Sequence, residues 1–168
     1  ARERLGFLAE ASAVLSGSLD PDVTLSSLAE LCVPGLADIC FIDLVDDEGM
    51  LQEHAGRAAS ESKLHAASEV RKRRRELGPA APTQTGHLAA LLGRGVVYNQ
   101  ITDEQLVAAA ADADHLAMLR RLDARSTVMA PLVARSGALG VLTLIRTGDA
   151  TLYTETDDIA AAAMAASN

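Results

Sequence analysis

Four histidines and two cysteines are the residues of this chain whose types could bind a metal or carry redox or nucleophilic chemistry. His54, His65, His87 and His115 stand 11, 22 and 28 residues apart, and Cys32 and Cys40 are eight apart. Zinc ligands come in close pairs such as C-x-x-C or H-E-x-x-H, because one turn or one helix face must present both to the metal. None of these spacings is of that kind, so no metal site is expected. A single axial haem ligand would need only one histidine, and His115 is the candidate. Its plain alternative is a helix residue facing solvent or capped by Asp112. No G-x-S-x-G elbow or Walker A loop occurs, and no Ser or Cys has neighbours that suggest an activating base. Gly93-Arg94-Gly95 precedes a strand, where a dinucleotide fingerprint would follow one. Cys32 and Cys40 fall at apolar positions and read as buried, unreactive thiols. The chain itself is expected not to be an enzyme.

Binding chemistry has better candidates. Five consecutive cations run from Arg71 to Arg75. At the C-terminal end of a helix they are favoured by the dipole and read first as a solvated end; docking to an acidic partner or an anionic ligand is the alternative. Tyr98, Asp112, His115, Arg125 and Ser126 are the polar residues expected to line a small-molecule pocket. Capping and strand-end hydrogen bonds are their ordinary alternative. With only two Phe, two Tyr and no Trp, a stacked planar ligand would find few partners.

The elements that must position these groups follow from periodicity. Leu5, Leu8, Ser12 and Leu15 form one helical stripe, and Phe7, Ala11 and Val14 a second beside it. Two seams suit a helix with the core on one side and a partner helix on the other. Asp20-Pro21 starts a second helix, whose apolar face is Leu25, Leu28, Ala29 and Cys32. Residues 39–45 alternate as a strand, with Ile39, Phe41, Asp43 and Val45 on one face. A returning strand at 50–55 completes a hairpin, and a helix is predicted over 60–77. A short strand at Val96-Val97-Tyr98 precedes Thr102-Asp103-Glu104-Gln105, which fits a capping box. Asp112 caps a helix over 113–122. Strands at 126–133 and 139–145 form a second hairpin. A last helix over 155–167 lines one face with Ile159, Ala162, Ala163 and Ala166. Hairpins rather than β-α-β alternation predict an α+β fold with a central antiparallel sheet.

The 168 residues are expected to form one domain, 1–168, with an aliphatic, Ala-rich core. A net charge of −8 argues against nucleic-acid binding by bulk electrostatics. No apolar run is long enough to span a membrane, and no signal-peptide core opens the chain, so a cytoplasmic location is expected. The lack of an initial Met and of a cap after the last helix suggests a domain excised from a longer protein.

The segment RLGFLAEASAVLSGSLDPDVTLSSLAELCVPGLADICFIDLVDDEG resembles the opening of a bacterial GAF domain. It is most similar to those fused to actinobacterial-type sensor histidine kinases and metal-dependent protein phosphatases. ITDEQL, DHLAMLRRLDARSTVMAPLVARSGALGVLTL and YTETDDIAAAAMAA follow in the family's order. The resemblance implies terminal helices on one sheet face, forming a homodimer through Leu5, Leu8, Ser12, Leu15, Ile159, Ala163 and Ala166. It implies middle helices and loops over a small-molecule pocket on the other face. The function implied is that of a regulatory sensor controlling an attached kinase or phosphatase domain. A ligand-free dimerisation scaffold is the alternative. A free methionine sulfoxide reductase, an enzymatic GAF relative that uses pocket cysteines, is a third reading. No cofactor is identified: the cyclic-nucleotide signature and a bilin-attaching Cys are both missing. Asp123 stands where relatives commonly carry Gly, a change expected to affect the start of the following strand.

Overall fold

Alternation along β1 (Ile39–Val45) gives the sheet two different faces. In the computed structural model the described residues are 29–30, 32–33, 36–49, 51–76, 96–98, 100–134 and 137–148. They form β1, β2 (Leu51–Ala58), α1 (Glu61–Glu76), β3 (Val96–Tyr98), α2 (Asp103–Ala109), α3 (Ala113–Leu122), β4 (Ala124–Ala134) and β5 (Gly137–Thr147). The strands make one antiparallel sheet in the order β2-β1-β5-β4-β3. The fold is α+β, as the hairpin pattern predicts.

Cys40 and Ile42 of β1, Val128, Ala130 and Leu132 of β4, and Leu142 and Leu144 of β5 bury one face against Ala29, Cys32 and Ala37. The opposite face places Ile39 and Phe41 against Ala67 of α1 and Leu122 of α3. Ala29, Glu30 and Cys32 are helical, at the predicted end of the second helix. The remainder of the two predicted N-terminal helices and the whole predicted last helix lie outside the described residues. So do the expected interface residues Leu5, Leu8, Ser12, Leu15, Ile159, Ala163 and Ala166.

The strands are longer than their sequence patterns. β2 continues through Gly56, Arg57 and Ala58, which carry no alternation of their own and are extended because they pair with Phe41, Cys40 and Ile39. β4 and β5 extend each other in the same way, from Ala124↔Thr147 to Ala134↔Gly137. Gly140 lets β1 and β5 meet: a Cβ there would lie 1.9 Å from the Asp43 carbonyl oxygen.

Local signals set the middle helices. Ser60 opens α1, its Oγ accepting from the Lys63 N–H at 3.3 Å. Thr102 and Gln105 form the reciprocal capping box of α2, at 3.2 and 2.9 Å. Asp103 then takes a two-point bond from Arg120, with Nε and Nη2 both at 2.9 Å, tying the start of α2 to the end of α3. Asp123 ends α3 in the left-handed region at φ 54, the conformation for which Gly is preferred.

Candidate functional site

Asp43 follows Ile39 and Phe41 on the face covered by α1, so a carboxylate enters an otherwise apolar contact. It is only 4% exposed. A buried carboxylate needs a partner, and α1 supplies one. Arg71 grips Asp43 with Nη1 at 3.0 Å and Nη2 at 2.5 Å, and Nη1 also reaches Glu53 on β2 at 2.7 Å. Its guanidinium lies 4.1 Å from the centre of the Phe41 ring. The first residue of the basic run is therefore fixed to the sheet, which corrects the reading of the run as a solvated helix end. Lys72 and Arg75 do face solvent.

A second polar cluster forms where α1 meets the beginning of α3. Asp112, the α3 N-cap, accepts the His115 backbone N–H at 2.8 Å and a short bond from Arg73 Nη2. The His115 N–H bond and then Arg73 hold the Asp112 carboxyl below its ordinary range. His115 itself is 4% exposed. Its Nδ1 accepts the Ala111 N–H at 3.0 Å, so the proton of the neutral ring is on Nε2. Burial, and then the nearby Arg74 charge, keep that ring from protonating in its usual range. Nε2 faces the Val70 backbone of α1 without completing a hydrogen bond. Arg73 Nε, Arg74 Nη2 and, in the centre of β5, Thr143 Oγ1 are also buried and unpartnered.

The five polar residues singled out from the sequence divide. Asp112 and His115 meet at the start of α3. Tyr98 is half-buried and pairs in register with Thr127, whose side chain, opposite in phase to Val128, faces the same side as Phe41 and His115. Ser126 is fully buried, but in phase with Val128 and Ala130 it faces the other side of the sheet, with its Oγ on the Tyr98 carbonyl at 3.2 Å. Arg125 is about half exposed and pairs with Asp123 at 2.9 Å. Arg71, Arg73 and Arg74 were missed as site residues. A lone Asp on an apolar strand face and a cation run on a helix are the two halves of that signal, but only packing joins them.

Cys32 and Cys40 are fully buried on the side opposite His115. A hydrogen bond with Cys32, and then burial, push the Cys40 thiol well above its usual range. Among the described residues no group of three or more His, Cys, Asp or Glu could hold a metal, and no helix is long and apolar enough to cross a membrane.

The described residues form a five-stranded antiparallel sheet with helices over a face that carries buried polar groups, an α+β fold with a candidate binding face. The particular family is shown by the sequence: the GAF domain family model matches residues 18–167, and the chain belongs to that family. GAF domains are regulatory sensor folds of signalling proteins and are generally not catalytic. No curated protein matches the chain. Solved structures share the fold at low identity. The GAF domain of a phosphoenolpyruvate-protein phosphotransferase from Coxiella burnetii has a TM-score of 0.65 and 14% identity, covering 98% of this chain and 89% of that one. Free methionine-R-sulfoxide reductase from Neisseria meningitidis has a TM-score of 0.62 and 18% identity, with coverage of 98% and 86%. The cyanobacteriochrome TePixJ GAF domain has a TM-score of 0.61 and 19% identity, with coverage of 91% and 90%.

Proposed function

We propose that the chain is a sensor module that binds a small molecule between the sheet and the α1–α3 layer. It passes occupancy to an attached output domain, a kinase or phosphatase of a two-component-type system. The observation that carries the reading is His115, a titratable polar side chain buried on that face at 4% exposure. Tyr98 and Asp112 are its proposed companions. Ser126 is not, since its side chain faces the other side of the sheet, and neither is Arg125, which is half exposed and paired with Asp123. Transmission runs from α3 and α1 through the sheet to terminal helices that form a homodimer, a shift of populations between two helix arrangements. The module acts in the cytoplasm and performs no catalysis. Support for the last point comes from thiols held in the closed core, one of them with a raised pKa, the reverse of what a nucleophilic cysteine needs.

A ligand-free scaffold is the second reading. What favours it is Arg71, which lies against Phe41 and binds Asp43 and Glu53, so it occupies the β1–β2 part of the same sheet face. Native mass spectrometry of the purified chain, followed by denaturation, separates the two. A dimer that releases a small molecule supports the sensor, a bare dimer supports the scaffold, and turnover of free methionine sulfoxide would overturn both.

A further inference from the structure

Ala110 and Ala111 carry the chain from α2 to α3, and a side chain holds this joint. His115 accepts the Ala111 N–H on Nδ1 at 3.0 Å, while its own backbone N–H donates to Asp112 Oδ1 at 2.8 Å. The residue is 4% exposed, so water offers no ready substitute for the Ala111 bond. A neutral imidazole accepts on one nitrogen, but an imidazolium donates from both and accepts on neither. Uptake of a proton on Nδ1 therefore sets two donors, the ring N–H and the Ala111 N–H, against each other in a buried position.

The groups around the ring decide which side yields. From α1, the Val70 backbone faces Nε2, and Arg74 and Arg73 add positive charge that opposes a charged ring. From the start of α3, Asp112 favours a charged ring. It stays ionised because the His115 N–H and then Arg73 hold its carboxyl below the usual range. Asp114 and Glu76 pair with Arg73 at 3.7 and 3.9 Å. The arginines are permanently charged, so the ring is the group at the joint that titrates. α3 is anchored by Leu122, which packs in the cluster of Ile39, Phe41 and Ala67. α2 has no such anchor: none of its residues is buried, and Val107 is 51% exposed. Its ties lie at its beginning, where the Ile101 N–H donates to the Arg125 carbonyl at 2.9 Å and Asp103 binds Arg120. Its own capping box keeps it helical when its far end is let go.

We infer that His115 is a proton-operated latch: protonation of Nδ1 releases the Ala111 N–H and frees the C-terminal end of α2 from α3. α2 then pivots about its tethered beginning. The inference goes beyond the sensor reading and stands whether or not the same face takes a small molecule.

The test is residue-resolved amide exchange of the full chain by NMR from pH 8 to pH 5, alongside titration of the His115 ring. After correction for intrinsic exchange, protection at Ala111 should fall on the order of tenfold with the midpoint of the ring, while the His115 amide, bonded to Asp112, keeps its protection. Ala111 protection that stays level through the ring's titration would overturn the latch. So would a parallel loss at the His115 amide, which would mean that the start of α3 melts as a whole, or unfolding of the chain before the ring titrates. In His115→Gln the pH dependence at Ala111 should vanish, and a fall equal to the native one also overturns the latch. The native chain carries the first comparison alone, so the decision does not depend on the variant folding.

Discussion

His115 shows how far one side chain's behaviour depends on its surroundings. Its folded pKa is pushed below the ordinary 6.5 by burial and then by Arg74. Between that lowered value and 6.5 the unfolded chain binds a proton that the folded chain does not. His115 therefore leaves stability unchanged with pH above 6.5 and lowers it as the solution is acidified below that point. Urea midpoints measured from pH 8 to pH 5 should fall in the acid half, and His115→Gln should flatten that fall. An equal slope in the variant would show that another group is responsible. Asp112 acts lower on the scale: its carboxyl is depressed below 3.8, so its contribution is present above that value and is lost as pH falls through the depressed one. Asp123 gives a second residue-scale test. It occupies a left-handed backbone position that costs a non-glycine residue about 1 kcal/mol, less for Asp than for most. Its exposed pairing with Arg125 returns little. Asp123→Gly should therefore raise the melting temperature by no more than about 2–4 °C, the shift about 1 kcal/mol gives in a domain of this size. Calorimetry showing no gain would mean that the pairing matters more than its exposure suggests.

At the scale of elements, two contacts hold α1 and the sheet in place. Arg71 joins α1 to β1 and β2 through Asp43 and Glu53. Removing one partner of a buried ion pair costs about 3–5 kcal/mol, while replacing both with apolar residues costs far less. Asp43→Leu or Arg71→Met alone should lower the denaturation midpoint strongly, and the double variant should recover most of the loss. A double variant no better than the singles would show that the pair contributes net stability rather than mutual compensation. Gly140 is the second contact. Its hydrogen sits where a methyl would strike the Asp43 carbonyl, a backbone atom that cannot yield without parting β1 from β5. Gly140→Ala should give an unfolded or insoluble chain. By contrast Gly49→Ala, in the open turn between β1 and β2, meets nothing within 4 Å and should cost only the strain of its positive φ, on the order of 1 kcal/mol. Circular dichroism distinguishes the two at once.

The whole molecule signals only if change on the α1–α3 face reaches another subunit or domain. Leu8 and Leu15 lie on one seam of the first predicted helix. Substituting both by Asp should convert the proposed homodimer into a folded monomer in sedimentation, because charge at the centre of an apolar helix seam must be desolvated on association. A variant that remains dimeric would place the interface elsewhere.

Order and type of the described elements were legible from sequence alone, because each depends on neighbours a few residues away. The Thr102–Gln105 capping box and the Asp112 cap are closed within three residues, and both formed as the sequence spells them. The two-sided character of β1 was equally plain from its alternation. Strand length was not, since Gly56 to Ala58 are extended only by pairing with β1. The site was legible as a set of residues but not as an arrangement. Asp112 and His115 lie three apart and came together through the cap, whereas Ser126 was turned to the opposite face by the phase of β4. The basic run had no readable partner, because Arg71 and Asp43 are 28 residues apart and Arg73 and Asp112 are 39. Short-range hydrogen bonds and periodicity are properties of the sequence. Which charge meets which carboxylate, and which donors are left buried without one, is fixed only when helix packs on sheet.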